Sequence, residues 1–415
     1  MMMNNPASYL TEVHFESHPD TVPVEEAVRI VRSIAHSTGT ETIPLDDAYE
    51  RTLATAILAP SDIPGYTRST RDGYAIISAD TSHASPENPC ILTLTGEIRK
   101  GSPETYTIHQ GQAILIQTGG VLPDGADAVV MKEEGQECHD TLSIKKTVAS
   151  GENIISQDED FRKDEPVYPE GWILRPQDIG VLASIGKTLV TVRKRPVIGI
   201  ISTGKELVPS ESVPKKGEVR EVNSYLIAAF CRRQGAIPTR YGIIRDDAEE
   251  LRRLLTDASR ECDAIIISGG SARDHNDVTA RVIRSLGEVY TESISFAPEK
   301  RTTIGRINSV LVIGLPGHPS STFMVLALVV IHLIQALKGS PCQRIYRRWV
   351  RLTDHLHAHP GTDRYIRVRI HDDDAVPIFG KAGLIHMLAM SDGLVKIPAG
   401  SAGFQAGDQV EVMIW

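Results

Sequence analysis

Apolar positions change their period several times along the chain, and each change marks a segment. Val24, Ala27, Val28, Val31, Ile34 and Ala35 recur at helical spacing, predicting an amphipathic helix over 21–35 with Thr21 or Asp20 as its cap. From about Leu58 to Lys146 the texture turns to short β-rich runs (YAIIS, CILTLTGEI, QAILIQTG, DAVVMKEE) broken by Gly and Pro, which read as a compact β domain. Residues 150–187 are acidic and then helical (PQDIGVLASIG), and they rejoin the first helix as a connecting layer.

From Arg195 to Lys338 strands and helices alternate. PVIGIIS, AIPTRYGII, DAIIIS and VLVIG are the strands, with helices near 223–234, over 247–259, 276–286 and 319–337. That alternation predicts a doubly wound three-layer α/β domain. Beyond Pro341, WVRLTDHL, RYIRVRI, VPIFG, GLVKIP and QVEVMIW predict a small C-terminal β domain. The expected divisions are a helical linker and dimerisation layer (20–57 with 151–188), a β-rich domain (58–150), the α/β domain (189–339) and the C-terminal β domain (342–415).

Three glycine loops follow strands of the α/β segment: Ser202-Thr203-Gly204, Ser268-Gly269-Gly270, and Gly314 to Ser321 with Pro316, Gly317, His318 and Pro319. Each alone is accounted for by a tight turn. Three at one sheet edge point to a ligand site, because glycines let backbone N–H groups approach an anion at the carboxyl ends of parallel strands. None matches G-x-G-x-x-G or G-x-x-x-x-G-K-[ST], which removes the dinucleotide and P-loop readings. A phosphate-bearing small molecule is the expected ligand.

Composition narrows the class. A length of 415 residues exceeds what one core fills, so several domains are expected. The formal net charge of −9 argues against nonspecific nucleic-acid or anionic-membrane binding. Five scattered cysteines without C-x-x-C spacing suggest neither a disulfide framework nor zinc, and a reducing cytoplasm fits. No basic start with an apolar core opens the chain, so no signal peptide is expected. The run Phe323 to Leu337 contains His332 and Gln335 and reads as a buried core helix rather than a span.

Further motifs carry a resemblance. They are D-x-P at Asp62 and Pro64, S-x-x-D-G-Y-A ending at Ala75, T-G-G-x-L-P-x-G-A-D-A-V-V from Thr118 to Val130, and S-T-G-x-E-L from Ser202 to Leu207. G-I-I-R-D-D at 242–247, S-G-G with Asp277 downstream, and G-L-P-G-x-P at 314–319 follow in order. In this the chain resembles the molybdopterin molybdenumtransferases, the MoeA and gephyrin E-domain group, over nearly its whole length. The resemblance implies a homodimer whose α/β domain binds the pterin. It also implies metal insertion from molybdate into adenylylated molybdopterin, release of AMP, participation of Mg2+, and other molybdenum-cofactor proteins as partners.

Carried residue by residue, it implies catalytic roles for Asp72, Thr118, Glu206, Asp277 and Lys300. It implies substrate contacts from Thr203, Gly204, Asp246, Ser268, Gly269, Gly270, Pro316, Gly317, Pro319, Ser321 and Arg301. Glu206, Asp246 and Asp277 are the expected cation ligands, since carboxylates clustered beside phosphate need a hard cation between them. The homodimer is also expected because the amphipathic helix over 21–35 has no obvious partner within one domain.

The chain departs from the family's pattern at Lys205, Ser293, Ala297, Arg301, His318, Thr362 and Ala382. Most of these positions would contact the molybdate or the phosphate, and losing one preorganised anion donor costs ~3–4 kcal/mol. Lys205, Lys300, Arg301, Arg364 and Lys381 are the neighbouring cations able to compensate. The alternative is a catalytically impaired or oxyanion-altered paralogue that holds pterin or nucleotide as a dimeric scaffold.

Overall fold

The computed structural model describes residues 21–101, 105–245, 247–269, 278–297, 300–340, 346–359, 361–381 and 383–415. Its centre is a seven-stranded sheet in the spatial order Thr21–Pro23, Glu288–Ser295, Lys300–Ile307, Val310–Leu315, Ala264–Gly269, Val197–Thr203, Ile237–Ile244. The last four strands are mutually parallel. Strands Val197–Thr203, Ala264–Gly269 and Val310–Leu315 are buried along nearly their whole length, which is why they read as unbroken apolar runs.

Helices cover both faces. Val24–Ile34, Asn223–Arg233 and Pro319–Leu337 close one core, and Ala248–Glu261 with Val278–Leu286 closes the other. Asp247 caps Ala248–Glu261 by accepting from the backbone N–H groups of Glu249 and Glu250. Pro319–Leu337 is 19 residues long and apolar enough to cross a membrane by length and composition, yet most of it is buried inside the protein. It is the core helix expected over 319–337.

The first helix departs from expectation. Thr21 does not cap it: Thr21–Pro23 is a strand paired in parallel with Ser293–Ser295, and Pro23 at the cap makes no side-chain bond. Val24, Ala27 and Val31 bury into the core beneath Pro319–Leu337. The apolar face therefore has its partner within the same chain, and the physical ground for expecting a dimer from it is gone. The antiparallel pair Glu288–Ser295 and Lys300–Ile307 was likewise absent from the expected alternation.

The connecting layer is mostly strand. Thr40–Pro44 pairs with Leu189–Arg193, Ile57–Leu58 pairs with Pro166–Tyr168, and a single short helix, Pro176–Ser184, packs beside them. Asp178 organises this layer by accepting hydrogen bonds from Tyr168, Trp172 and Arg175. Burial alone would raise its pKa, but those bonds outweigh it and hold the carboxyl at about 2.

Two outer units complete the chain. The β-rich unit is a six-stranded sheet between Gly73 and Ile144. The C-terminal unit is a closed five-stranded barrel of Arg347–Leu352, Asp374–Pro377, Arg364–His371, Gly393–Ile397 and Gln409–Ile414. The barrel docks on the α/β core through edge-on aromatic pairs, Phe323 with Trp415 at 5.0 Å and Phe296 with Tyr365 at 5.8 Å between ring centres.

Candidate functional site

Register brings the glycine loops together. Ser202 lies opposite Ser268, Thr203 opposite Gly269, and Ser268 opposite Leu315, so three strands end level along one edge. Gly269 holds φ +95°, and a Cβ there would stand 2.1 Å from the Thr203 carbonyl oxygen. Only glycine fits that approach.

Asn223, at the start of helix Asn223–Arg233, ties the edge together. Its Nδ2 donates to Ser268 Oγ at 2.7 Å and to the Gly317 carbonyl at 2.8 Å. Glu221 braces the same turn, accepting from Ser224 N at 2.7 Å and from its hydroxyl at 2.5 Å. The side-chain oxygen Oδ1 of Asn223 and the hydroxyls of Ser202, Thr203 and Ser321 are buried with no hydrogen-bond partner among the described residues. Such groups each cost about 1–3 kcal/mol when left unsatisfied.

The donors differ from those expected. Gly204 N–H donates to the Ile244 carbonyl, and the N–H groups of Ser321 and Thr322 both donate to His318 O. Those three amides are engaged within the fold and are not free to meet an anion. Pro316 is buried and its carbonyl accepts from the Thr322 hydroxyl at 2.5 Å, so it shapes the loop. Pro319 opens the helix, where its missing N–H costs nothing.

Cationic reach comes from the barrel. Arg367, on strand Arg364–His371, is buried and donates to Ser320 Oγ; burial holds its guanidinium below its usual pKa. The neighbouring Arg364 is pushed down for the same reason and donates to the His357 carbonyl. Ala297 is buried where its N–H donates to the Asp363 carbonyl, directly against this strand. Thr362 pairs with His359 Nδ1 at 3.2 Å. A Cβ on Gly383 would touch the His318 ring at 3.4 Å, so a barrel loop approaches the Gly317–His318 turn. His318 itself is exposed and makes no cap bond.

Other candidates stand apart. Glu206 and Lys205 are exposed on the turn after Gly204. Asp246, Gly270, Asp277 and Ala382 lie outside the described residues, as does the Lys300 side chain. Among the described residues no group of three His, Cys, Asp or Glu is placed to hold a metal ion. Arg301 and Ser293 face each other across two antiparallel strands, with Ser293 buried. Asp72 and Thr118 meet each other instead of the edge: Asp72 Oδ1 accepts from Thr118 N at 2.7 Å and Oγ1 at 2.8 Å, and both bonds lower the carboxyl's pKa. The two cores beneath them contain no residue of the α/β unit or the barrel.

Comparison with known proteins places this geometry. Models described as "MoeA N-terminal region (domain I and II)", "Probable molybdopterin binding domain" and "MoeA C-terminal region (domain IV)" match residues 22–186, 199–336 and 350–415. The chain belongs to the MoeA family. Among MoeA relatives, a molybdopterin molybdenumtransferase of Bacillus subtilis (strain 168) is 30% identical over 404 residues, covering 95% of this chain and 94% of that protein. Another of the same name from Staphylococcus aureus (strain COL) is 30% identical over 402 residues, 95% of each. The crystal structure of a molybdopterin biosynthesis MoeA protein from Pyrococcus horikoshii OT3 superposes with a TM-score of 0.84 at 30% identity, covering 95% of this chain and 100% of that one. The alternative of an impaired or redirected scaffold draws no support from these MoeA relatives.

Two residues that join this edge carried no signal in the sequence. Asn223 carried no motif, because its partners lie 45 and 94 residues away. Arg367 closes the same Gly361-to-Arg367 stretch that holds the departure at Thr362.

Proposed function

We propose that this MoeA protein is a molybdopterin molybdotransferase of molybdenum-cofactor biosynthesis, taking adenylylated molybdopterin and molybdate as substrates and releasing AMP. The observation that carries the reading is the Asn223 bridge between the Ser268 and Gly317 loops, set among buried hydroxyls without partners. Those hydroxyls and the Asn223 carbonyl suit the polar edge of a pterin or the phosphate of its nucleotide. Arg367, aimed at Ser320 from the barrel, supplies charge for the anionic end. Thr203, Gly204, Ser268, Gly269, Gly270, Pro316, Gly317, Pro319 and Ser321 form the substrate edge in this reading, joined by Asp246 and Arg301.

Asp72 enters as an ionised carboxylate, held so by the two Thr118 bonds, and serves with Thr118 and Lys300 in the transfer. Glu206, exposed beside Gly204, fits the Mg2+ pattern of one or two carboxylates shared with substrate phosphate, with Asp246 and Asp277 as its companions. When bound, Mg2+ neutralises phosphate charge. The protein acts in the cytoplasm.

The test is AMP release and metal content after mixing purified protein, adenylylated pterin and molybdate. AMP released with metal retained on the pterin is expected; failure to bind any pterin nucleotide would remove the ligand assignment. Assembly as a homodimer belongs to the same reading, because Asp72 and Thr118 sit on a unit whose cores are separate from the α/β edge. Light scattering should give twice the chain mass of 45.4 kDa, and a monomer would end that part of it.

A further inference from the structure

At the opposite end of the α/β helices, where the strand-paired connecting layer meets them, lies a polar cavity of about 80 Å³. Six cations line it, Arg51, Arg193, Lys194, Arg195, Arg232 and Lys338, against one lining carboxylate, Glu50. This concentration stands out in a chain of net charge −9.

Helix ends explain part of it. Asn223–Arg233 and Pro319–Leu337 both terminate here, and Lys338 Nζ donates to the Gln234 carbonyl at 3.1 Å. Two helix C-termini present together about one elementary negative charge, so one or two cations would suffice. Ion pairs explain another part: Arg51 bonds Glu41 and the Arg193 carbonyl, and Arg193 Nη2 bonds Glu170 at 2.7 Å. Lys194, Arg195 and Arg232 remain without an ion-pair partner among the described residues, and Arg193 Nε is buried with no hydrogen-bond partner. Burial first, with Arg195 and Arg51 adding to it against an opposing pull from Glu50, depresses the Lys338 pKa, as expected of a cation whose charge is not fully offset.

We propose that this cavity binds a small tetrahedral oxyanion, of the class of phosphate, sulfate or molybdate, at the seam between the connecting layer and the α/β unit. The size suits the class: a water needs about 10–15 Å³ of such space, so the cavity has room for several waters or one such anion. The unpartnered Nε–H of Arg193 and the point charge of Lys338 provide fixed donors, and exposed Arg195 and Arg232 close the rim. The site is independent of the glycine-loop edge and of the activity proposed for it.

Calorimetry on the full-length protein at constant ionic strength, with phosphate in one arm and molybdate in the other, tests this. At least one should bind, and whichever binds more tightly names the source of the anion. The double substitution R195E/R232E changes only exposed side chains without ion-pair partners, so its melting temperature without ligand should stay near wild type. Its oxyanion affinity should fall at least ~10-fold, the loss expected for removing charge-assisted hydrogen bonds. Crystals soaked in molybdate should show anomalous density between Arg193 and Lys338. The proposal is overturned if neither anion binds at millimolar concentration, if the double variant binds as wild type does, or if the density appears only at the glycine-loop edge.

Discussion

The glycine-loop edge and the basic cavity lie at opposite ends of helix Asn223–Arg233, and they meet anions by opposite means. At the edge, the polar groups set into the strand ends are amide and hydroxyl: Asn223, Ser202, Thr203 and Ser321, with Arg367 reaching in from the barrel. At the cavity the donors are full charges on long side chains. Short neutral groups fixed by backbone register select shape, because each has one direction to satisfy. Clustered cations select charge and size, because flexible stems adapt to whatever anion fits. The first arrangement suits one particular substrate, and the second suits a class of small ions.

The largest difference should appear when one methyl group is added at each place. Gly269→Ala puts a Cβ 2.1 Å from a backbone oxygen of the paired strand, at φ +95°. Relief requires opening the Thr203–Gly269 pairing, so the cost should reach roughly 3 kcal/mol or more. Gly235→Ala, at φ +79°, meets only the end of the Lys338 side chain at 3.1 Å, and should cost about 1–2 kcal/mol, the left-handed penalty alone. Thermal unfolding of the two variants side by side measures this. Equal losses would mean that the edge is no more rigid than the cavity rim.

That contrast also governs what could be read from the sequence. Strands Val197–Thr203, Ala264–Gly269 and Val310–Leu315 were legible because residues buried on both faces must be apolar, and glycine marks where each stops. The pair Glu288–Ser295 and Lys300–Ile307 was not, because Thr291, Ser293, Thr302 and Thr303 are buried there despite being polar. A hydrophobic pattern is silent about such strands. Thr21–Pro23 escaped for another reason: three residues carry no period, and pairing with Ser293–Ser295 is a tertiary fact. The glycine loops announced the edge, while Asn223, which joins two of them, gave no local signal. The cavity was invisible for the same cause, its cations being dispersed between positions 51 and 338.

A smaller and more selective effect is expected at Asn223, and it separates the two regions most cleanly. Asn223→Ala removes the donors to Ser268 Oγ and the Gly317 carbonyl, leaving two buried acceptors without that partner. At about 1–1.5 kcal/mol net for each bond, pterin-nucleotide affinity should fall roughly 30- to 150-fold. Asn223→Asp preserves the shape but sets an acceptor against the Gly317 oxygen, so its loss should exceed that of alanine. Helix Asn223–Arg233 stays anchored by the buried Ile227, Phe230 and Cys231, so oxyanion binding at its far end should remain that of the wild type in both variants. Calorimetry with pterin nucleotide and with phosphate on the same protein samples reads both quantities. If alanine binds the nucleotide as the native residue does, the bridge is only a structural clasp. If phosphate binding falls in parallel, the two regions are coupled through the helix, and their separation into distinct sites fails.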